Sequence, residues 1–470
     1  MKLPNGFAVD WAIDHFGGID LGDKRRNDRL YFSVAAMIEH PEGSLPAKFR
    51  DPAALDGFYR LMNSEHVTHD ALIHAAARNT WRRMEEHQGT VLILHDDTVL
   101  DYSTLSIPDL GQVGNGNGRG LYAHNSLAIT AEGTVLGLAG QLLHKRRKVK
   151  KTESRAARKN ARDRESRLWT DACKLLPVAP EGKRWVDVAD RGSDVMEFLA
   201  YEKGAGREYV VRSKHNRNVQ VCQPDGTILS TKLHDYIRSK TVMSSRPRTY
   251  DLSESADRSA RKVELSMSWA MLDLMPPRQP RGDYERVPLR VWVVRVWEAN
   301  PPDGEKGIEW ILLTNVEVKG EEDAWERVEW YIQRWKVEEW HKGMKTGMGI
   351  EDLQFTTRDS LEPAIAVLSV VALWLLEMRD GSRDEQKRNQ KASECVPLLW
   401  VRVLSSWRHR CFRDEWTYGE FVHALARLGG HQNRKSDHPP GWIVLWRGWS
   451  QLQAMIAGAI AIQPDNCAET

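Results

Sequence analysis

Residues Tyr331–Lys345 read YIQRWKVEEWHKGMK, and the reading of that stretch decides the fold. It holds no Pro, and its one Gly, Gly343, sits near the end, so a helix is expected. Upstream, Glu321, Glu322 and Asp323 supply the acidic first turn that a helix start favours; Thr346-Gly347 supplies a stop. At about 100° per residue, Tyr331, Arg334, Glu338 and Lys345 fall within an arc of roughly 60°. A phenol, a guanidinium, a carboxylate and an ammonium then project from one face. On an isolated helix this is an ordinary solvated salt-bridge face. Here Trp330, Trp335 and Trp340 are interleaved with it, and they are costly to leave in water. A helix that packs its tryptophans and shows one carboxylate among cations suits a metal-and-phosphate site better.

The spacing Tyr-x2-Arg-x3-Glu-x6-Lys resembles the signature helix of bacterial cut-and-paste DDE transposases of the insertion-sequence-four family. The stretch RWKVEEWHKGMKTG is similar to that helix almost residue for residue. The resemblance runs from DWA and LGDKRR near the start to LWRGWSQLQ near the end, so it covers nearly the whole chain. It implies that Tyr331, Arg334, Glu338 and Lys345 occupy the motif's four positions.

Composition sets wider bounds. A chain of 470 residues is expected to hold two to four domains with ample core, and 41% hydrophobic with 28% charged residues is ordinary soluble composition. No uninterrupted apolar run reaches the ~20 residues of a membrane span, and MKLPNGFAVDWAIDHF lacks a signal peptide's apolar region. Five Cys (173, 222, 395, 411 and 467) form no CxxC pair, so neither a zinc site nor a disulfide framework is signalled. A reducing cytoplasm fits, no membrane partner is expected, and the resemblance implies association with the nucleoid when the protein acts. The net charge of +2 does not announce nucleic acid, but local Lys/Arg clusters matter more than the total.

Residues 1–70 read as short helices. Asp23 is a candidate N-cap for a helix bearing Arg25, Arg26 and Arg29 close together on its surface, and a second helix runs near Pro52 to Met62. The bland reading of such a basic helix is a solvated face; the resemblance (LGDKRR, DGFYRLM) implies binding of the transposon end, with phosphates held by clustered Arg. Next, Val91–Leu94 is a short apolar run, read as a buried strand ending on Asp96 and Asp97. Acids there are expensive unless paired or bound to a cation, although a turn acid capping the next element is the plain alternative. The family register makes Asp96 the ligand; the doublet leaves a one-residue ambiguity. GQVGNGNGRG (111–120) follows no buried strand and is not a nucleotide loop, but a loop near DNA or a connector. Two strands then flank a turn at Ala131-Glu132-Gly133. The charge block 144–167 reads as a solvated helix or loop, with sequence-independent phosphate binding as the alternative. It departs from the acidic stretch expected there in the family.

KRWVDVADRGSD (183–194) gives a second acidic strand end, with Asp190 on the face of Val186 and Val188 and Asp187 on the other. DRGSD resembles the family's Asp-Arg-x-x-Asp, which implies that Asp190 is the second catalytic acid. The strand beginning at Tyr209 carries Arg212 and Lys214, which resemble positions that hold DNA phosphates. Residues from about 216 to 308 read as a β-rich insertion. Trp310 lies at the family spacing before Tyr331; in relatives that Trp stacks on a flipped base, whereas the bland reading is a core Trp. AIAVLSVVALWLLEM (364–378) is expected to be core. LARLGG and LWRGW resemble a dimerisation region, with a core stripe as the alternative.

Three carboxylates, two on strand ends and one on a helix, suggest an α/β fold: an RNase H-like catalytic core (71–385) with the β-rich insertion, an N-terminal helical DNA-binding domain (1–70) and a C-terminal helical dimerisation domain (386–470). Asp96, Asp190 and Glu338 fit a DDE triad binding two Mg2+ per active site, with Mn2+ as the expected substitute, because all-carboxylate donors suit a hard octahedral ion. Arg334, Tyr331 and Lys345 would grip the phosphate. The resemblance implies nicking, hairpin formation, reopening and joining of the 3′-OH to target DNA by a homodimer on two inverted-repeat ends. Two other readings stand beside it: a metal-dependent nuclease without joining activity, and a non-catalytic DNA-binding descendant. The presence of all the acids and of the Tyr-Arg-Glu-Lys spacing counts against the latter.

Overall fold

A computed structural model describes residues 6–461 apart from 115, 148–151, 155–156, 158–160, 162–163, 253–258, 279–283 and 435–438. The charge block 144–167 therefore lies partly outside the described residues.

The apolar run at Val91 starts the strand from which the sheet is built, β1 (Val91–Asp101). A hairpin follows: β2 (Gly111–Gln112) pairs antiparallel with the start of β3 (Arg119–Thr130), and β3 returns through the turn at Ala131–Thr134 into β4 (Val135–His144). The glycine-rich segment is thus the tip of a small β-hairpin. On the other side β1 pairs in parallel with β5 (Trp185–Ala189), and β5 in parallel with β6 (Glu208–Arg212). The order β4-β3-β1-β5-β6 carries three antiparallel strands and then two parallel to the first. β5 is buried at every position, as a central parallel strand requires.

The insertion does not form a separate sheet. β7 (Asn218–Cys222), β8 (Ile228–Lys232), β9 (Arg248–Leu252), β10 (Arg261–Leu274) and β11 (Leu289–Glu298) join through β12 (Glu309–Thr314), which pairs antiparallel with β6. The sheet reaches twelve strands among the described residues.

Helices cover it. In the N-terminal part, Asp23 caps Lys24–Glu39 by accepting from Arg25 N at 2.8 Å, and Asp51 caps Pro52–Met62 by accepting from Ala53 N at 2.9 Å. These helices share one apolar core with the rest of the chain. Trp11 Nε1 and His15 Nε2 reach the two carboxylate oxygens of Glu377 at 2.8 Å each, and Trp449 Nε1 donates to Ile38 O at 2.8 Å. The helices Arg358–Val371 and Leu373–Arg383 together are long and apolar enough to cross a membrane, although no uninterrupted apolar run is. Of their most apolar window 89% is buried inside the protein, as the core reading expects.

The expected single helix over Tyr331–Lys345 is three pieces: Glu321–Ile332, Trp335–Lys342 and a π-turn at Gly343–Gly347. At the first break Arg334 N bonds Tyr331 O (3.1 Å) and Val337 N bonds Arg334 O (3.2 Å), a tightened i→i+3 pattern. Gln333 and Arg334 keep right-handed helical dihedrals across the break.

Candidate active site

The strand reading needs one correction. Asp96 and Asp97 are mid-strand, not at a strand end: β1 runs on to Asp101 against β3, while its parallel partner β5 stops opposite His95. Asp96 is therefore the first residue beyond the parallel neighbour. Asp190, just past the end of β5, caps a 3-10 turn and accepts from Gly192 N at 2.6 Å. Both acids lie on one face of the sheet by two-residue alternation, and His95, Asp97 and Asp187 on the other.

Glu338 reaches this place from the helix Trp335–Lys342. Eight residues are too few for stability alone, so its position comes from its neighbours. Trp340 Nε1 donates to Ser369 O at 3.2 Å, and Asn125 Nδ2 donates to His341 Nε2 at 2.9 Å. Arg379, only 1% exposed, bonds Glu339 Oε2 at 2.6 Å and Asp380 Oδ1 at 3.0 Å, and Lys336 bonds Asp380 at 3.3 Å. This four-charge clamp, buried at Arg379 and Asp380, holds the helix.

Arg334 ties two of the acids together. Its Nη1 donates to Asp96 Oδ2 at 3.3 Å, and its Nη2 is bonded to Glu338 Oε1. Burial pushes the Asp96 carboxyl up; Arg334 opposes this; Asp190, Glu338 and Asp97 raise it further, to about 7. Asp190, Glu338 and Asp97 all lie near enough to raise the Asp96 carboxyl, and the Arg334 guanidinium opposes them. An all-oxygen set with surplus negative charge fits a hard divalent cation.

A stability test follows. An acid whose folded pKa is raised is ionised in the unfolded chain before it is ionised in the folded one. Metal-free stability therefore falls as pH rises from about 4 to about 7. Asp96→Asn is expected to stabilise the metal-free protein by roughly 2–4 kcal/mol at pH 8 and to change little near pH 3, read by thermal denaturation in chelator. A destabilised variant at pH 8 would contradict the assignment.

Of the remaining candidates, Tyr331, Arg212 and Trp310 form a second cluster, and Lys345 stands apart from it. Tyr331 is buried and sits edge-on to Trp310 at 5.4 Å, close to Arg212. Arg212 lies over the Trp310 ring at 6.0 Å and bonds Glu309 O at 3.2 Å. Burial lowers the Arg212 pKa, and the nearby Arg191 and Arg334 lower it further. A cavity of about 380 Å³ opens here, lined by Arg191, Arg212, Arg238, Lys306 and Trp310. Lys214 is exposed at the strand exit, where its backbone N and that of His215 donate to the buried Asp194 at 2.6 and 2.8 Å. Lys345 is on the π-turn and pairs with Glu351 at 3.2 Å; Glu351 also accepts from Asp101 N, which anchors it to the end of β1.

Arg25, Arg26 and Arg29 do not make one surface cluster. The Arg25 side chain is 94% exposed, Arg26 Nη1 turns back to Leu21 O at 2.8 Å, and Arg29 packs against Gly57 of the next helix. Of the three, Arg25 is the one held out to solvent.

Sequence reasoning missed a polar cluster under the site. Asp187, 1% exposed, accepts from Arg207 Nε and Nη2 at 2.8 and 3.0 Å and lies 2.7 Å from His95 Nε2. His124 joins Asp97 at 2.5 Å to His95 at 3.4 Å. Cys173 Sγ is 3.7 Å from His95 Nε2. His95, Cys173 and Asp187 have ligand atoms within 4.8 Å of one another, but Arg207 already occupies Asp187, so the set is a neutralised core network and not a cation cradle.

Comparison with known proteins adds two findings. Among solved structures the chain is similar to the piggyBac transposase synaptic complex with hairpin DNA, at 8% identity over 98% of this chain and 80% of that one, with a TM-score of 0.32. Similarity at that level carries no argument about fold or function. Residues 8–67 match the Transposase DNA-binding family, so the N-terminal helices carry a domain of the kind that transposases use to bind DNA.

Proposed function

We propose that the protein is a cut-and-paste DNA transposase of the DDE type, of the insertion-sequence-four kind. The observation that carries this reading is that Arg334 is bonded to both Asp96 and Glu338, with Asp190 near enough to raise the Asp96 carboxyl, in a chain whose first helices match a transposase DNA-binding domain. The strand order, three antiparallel and two parallel, supports an RNase H-like core, with Asp190 just past the end of β5 and Asp96 on the neighbouring strand at the level where β5 stops.

Asp96, Asp190 and Glu338 would hold two Mg2+ ions, with Mn2+ as substitute, which supply activation of water or a DNA 3′-OH and stabilisation of the leaving oxygen. Arg334 would exchange part of its contact with Asp96 and Glu338 for the scissile phosphate, which a planar guanidinium can grip in two places. Arg212, Lys214 and Lys345 would hold neighbouring phosphates. Trp310, packed on Tyr331, would stack on a base displaced from the helix and so hold the strand end for a hairpin step. Residues 1–70, with Arg25 outermost, would bind the transposon end. The C-terminal helices of 386–470 would pair two protomers, and the joined substrates are inverted-repeat ends and target DNA.

The test is Asp96→Ala, Asp190→Ala and Glu338→Ala on duplex carrying the inverted repeats that flank the gene, with Mg2+. Each variant is expected to bind the end and give no nick, hairpin or joined product. Full cleavage by any one removes that residue from the active site; nicks without hairpin or joining in the unaltered protein favour a plain nuclease.

A further inference from the structure

We propose that Trp407–Arg413 (WRHRCFR), at the end of the helix Leu398–His409 and in the turn after it, is a contact surface for DNA outside the carboxylate site. The proposal rests on the reading of the protein as one that handles DNA. All seven residues are exposed, Phe412 at 72% and Trp407 at 41%. A last-turn Arg408 and His409 are explained by the helix dipole. Arg410, Phe412 and Arg413 lie beyond the helix end, where the dipole explains nothing.

The neighbouring acids are already engaged. Asp414 pairs with Arg402 at 3.0 Å and Glu415 with Lys391 at 2.9 Å. Among the described residues Arg408, Arg410 and Arg413 have no ion-pair partner. The turn is nonetheless held in place. Arg413 N donates to Ser405 Oγ at 3.0 Å, and His409 sits edge-on to the buried Trp416 at 5.4 Å. Three unpaired guanidiniums and two exposed rings on a fixed turn match a phosphate backbone with accessible bases: Arg neutralises phosphates and aromatic faces stack on unpaired bases. A second copy of the chain fits worse, because a two-fold contact would set the same unpaired cations against each other.

The experiment uses the full chain carrying Arg408→Gln, Arg410→Asn and Arg413→Gln together; Asn is chosen because Arg410 has φ 58. Binding is measured from 50 to 200 mM salt on a duplex without end sequence and on the same duplex with a mismatched bubble. The expected result is an affinity lower on the order of tenfold at 100 mM and a log–log salt slope reduced by ~2–3 on both DNAs. Phe412→Ser is expected to lower affinity for the bubble and leave the plain duplex unchanged. All of these residues are exposed, so thermal midpoints should match the parent; Arg408→Gln alone, with a slope reduced by ~1, is the second variant. An unchanged slope overturns the proposal. So does loss of self-association in Phe412→Ser with both DNA affinities intact. A chain that cleaves ends normally yet shows an unchanged slope loses only this surface. One that shows the slope change but never cleaves keeps the surface and loses the transposase reading.

Discussion

Glu338→Gln is expected to reduce Mg2+-dependent cleavage at a transposon end by ~10³-fold or more, equivalent to about 4 kcal/mol of transition-state stabilisation. Binding of the end should be unaffected. The substitution keeps the shape of the side chain and removes its charge. Its partner Arg334 retains Asp96, and the Glu338 side chain is 30% exposed, so no buried charge is stranded. The thermal midpoint should therefore hold while turnover is lost. The assay is single-turnover cleavage with saturating protein. Cleavage within tenfold of the parent would mean that Glu338 does not bind the reacting metal.

Arg207→Met is expected to destabilise the protein by about 3–5 kcal/mol, read by denaturant unfolding at pH 7. Burial alone would raise the Asp187 carboxyl; Arg207 and His95 together hold it well below the usual range. Removing the guanidinium strands that charge in the core. Asp187→Asn in the same chain should recover a large part of the loss, because the stranded charge goes with it. Glu202 behaves in the opposite sense. Burial, and then Asp187, push it well above the usual value. Because that raised value makes stability fall as pH climbs past the usual Glu range, Glu202→Gln should be neutral or stabilising at pH 7.

What was legible in the sequence was local. Asp23 reads as an N-cap from its own helix and Val91–Leu94 as a buried strand from its apolar run; both appear in the structure. The face of 331–345 is there only in part: Arg334 and Glu338 are bonded, but Tyr331 is buried against Trp310, Lys345 turns to Glu351, and Trp335, expected to pack, is exposed. What was not legible depends on distant pairing. β1 outruns β5 by six residues, so Asp96 sits where the parallel neighbour ends, although its own strand continues. That fact belongs to two strands about ninety residues apart and leaves no mark on either. The break at Gln333–Arg334 carries no Gly or Pro to announce it. His95, Cys173, Asp187, Glu202 and Arg207 lie far apart in the sequence, and nothing in any one of them announces the others. Arg379 and Asp380, just past the apolar run 364–378, drew no reading from the sequence; both are buried and brace the Glu338 helix.

The most direct measurement is anomalous diffraction from crystals of the protein with Mn2+. The account requires two ions about 3.5–4 Å apart, held between Asp96, Asp190 and Glu338. Ions bound elsewhere, or an ion at Asp96 that Asp190 and Glu338 do not reach, would contradict it.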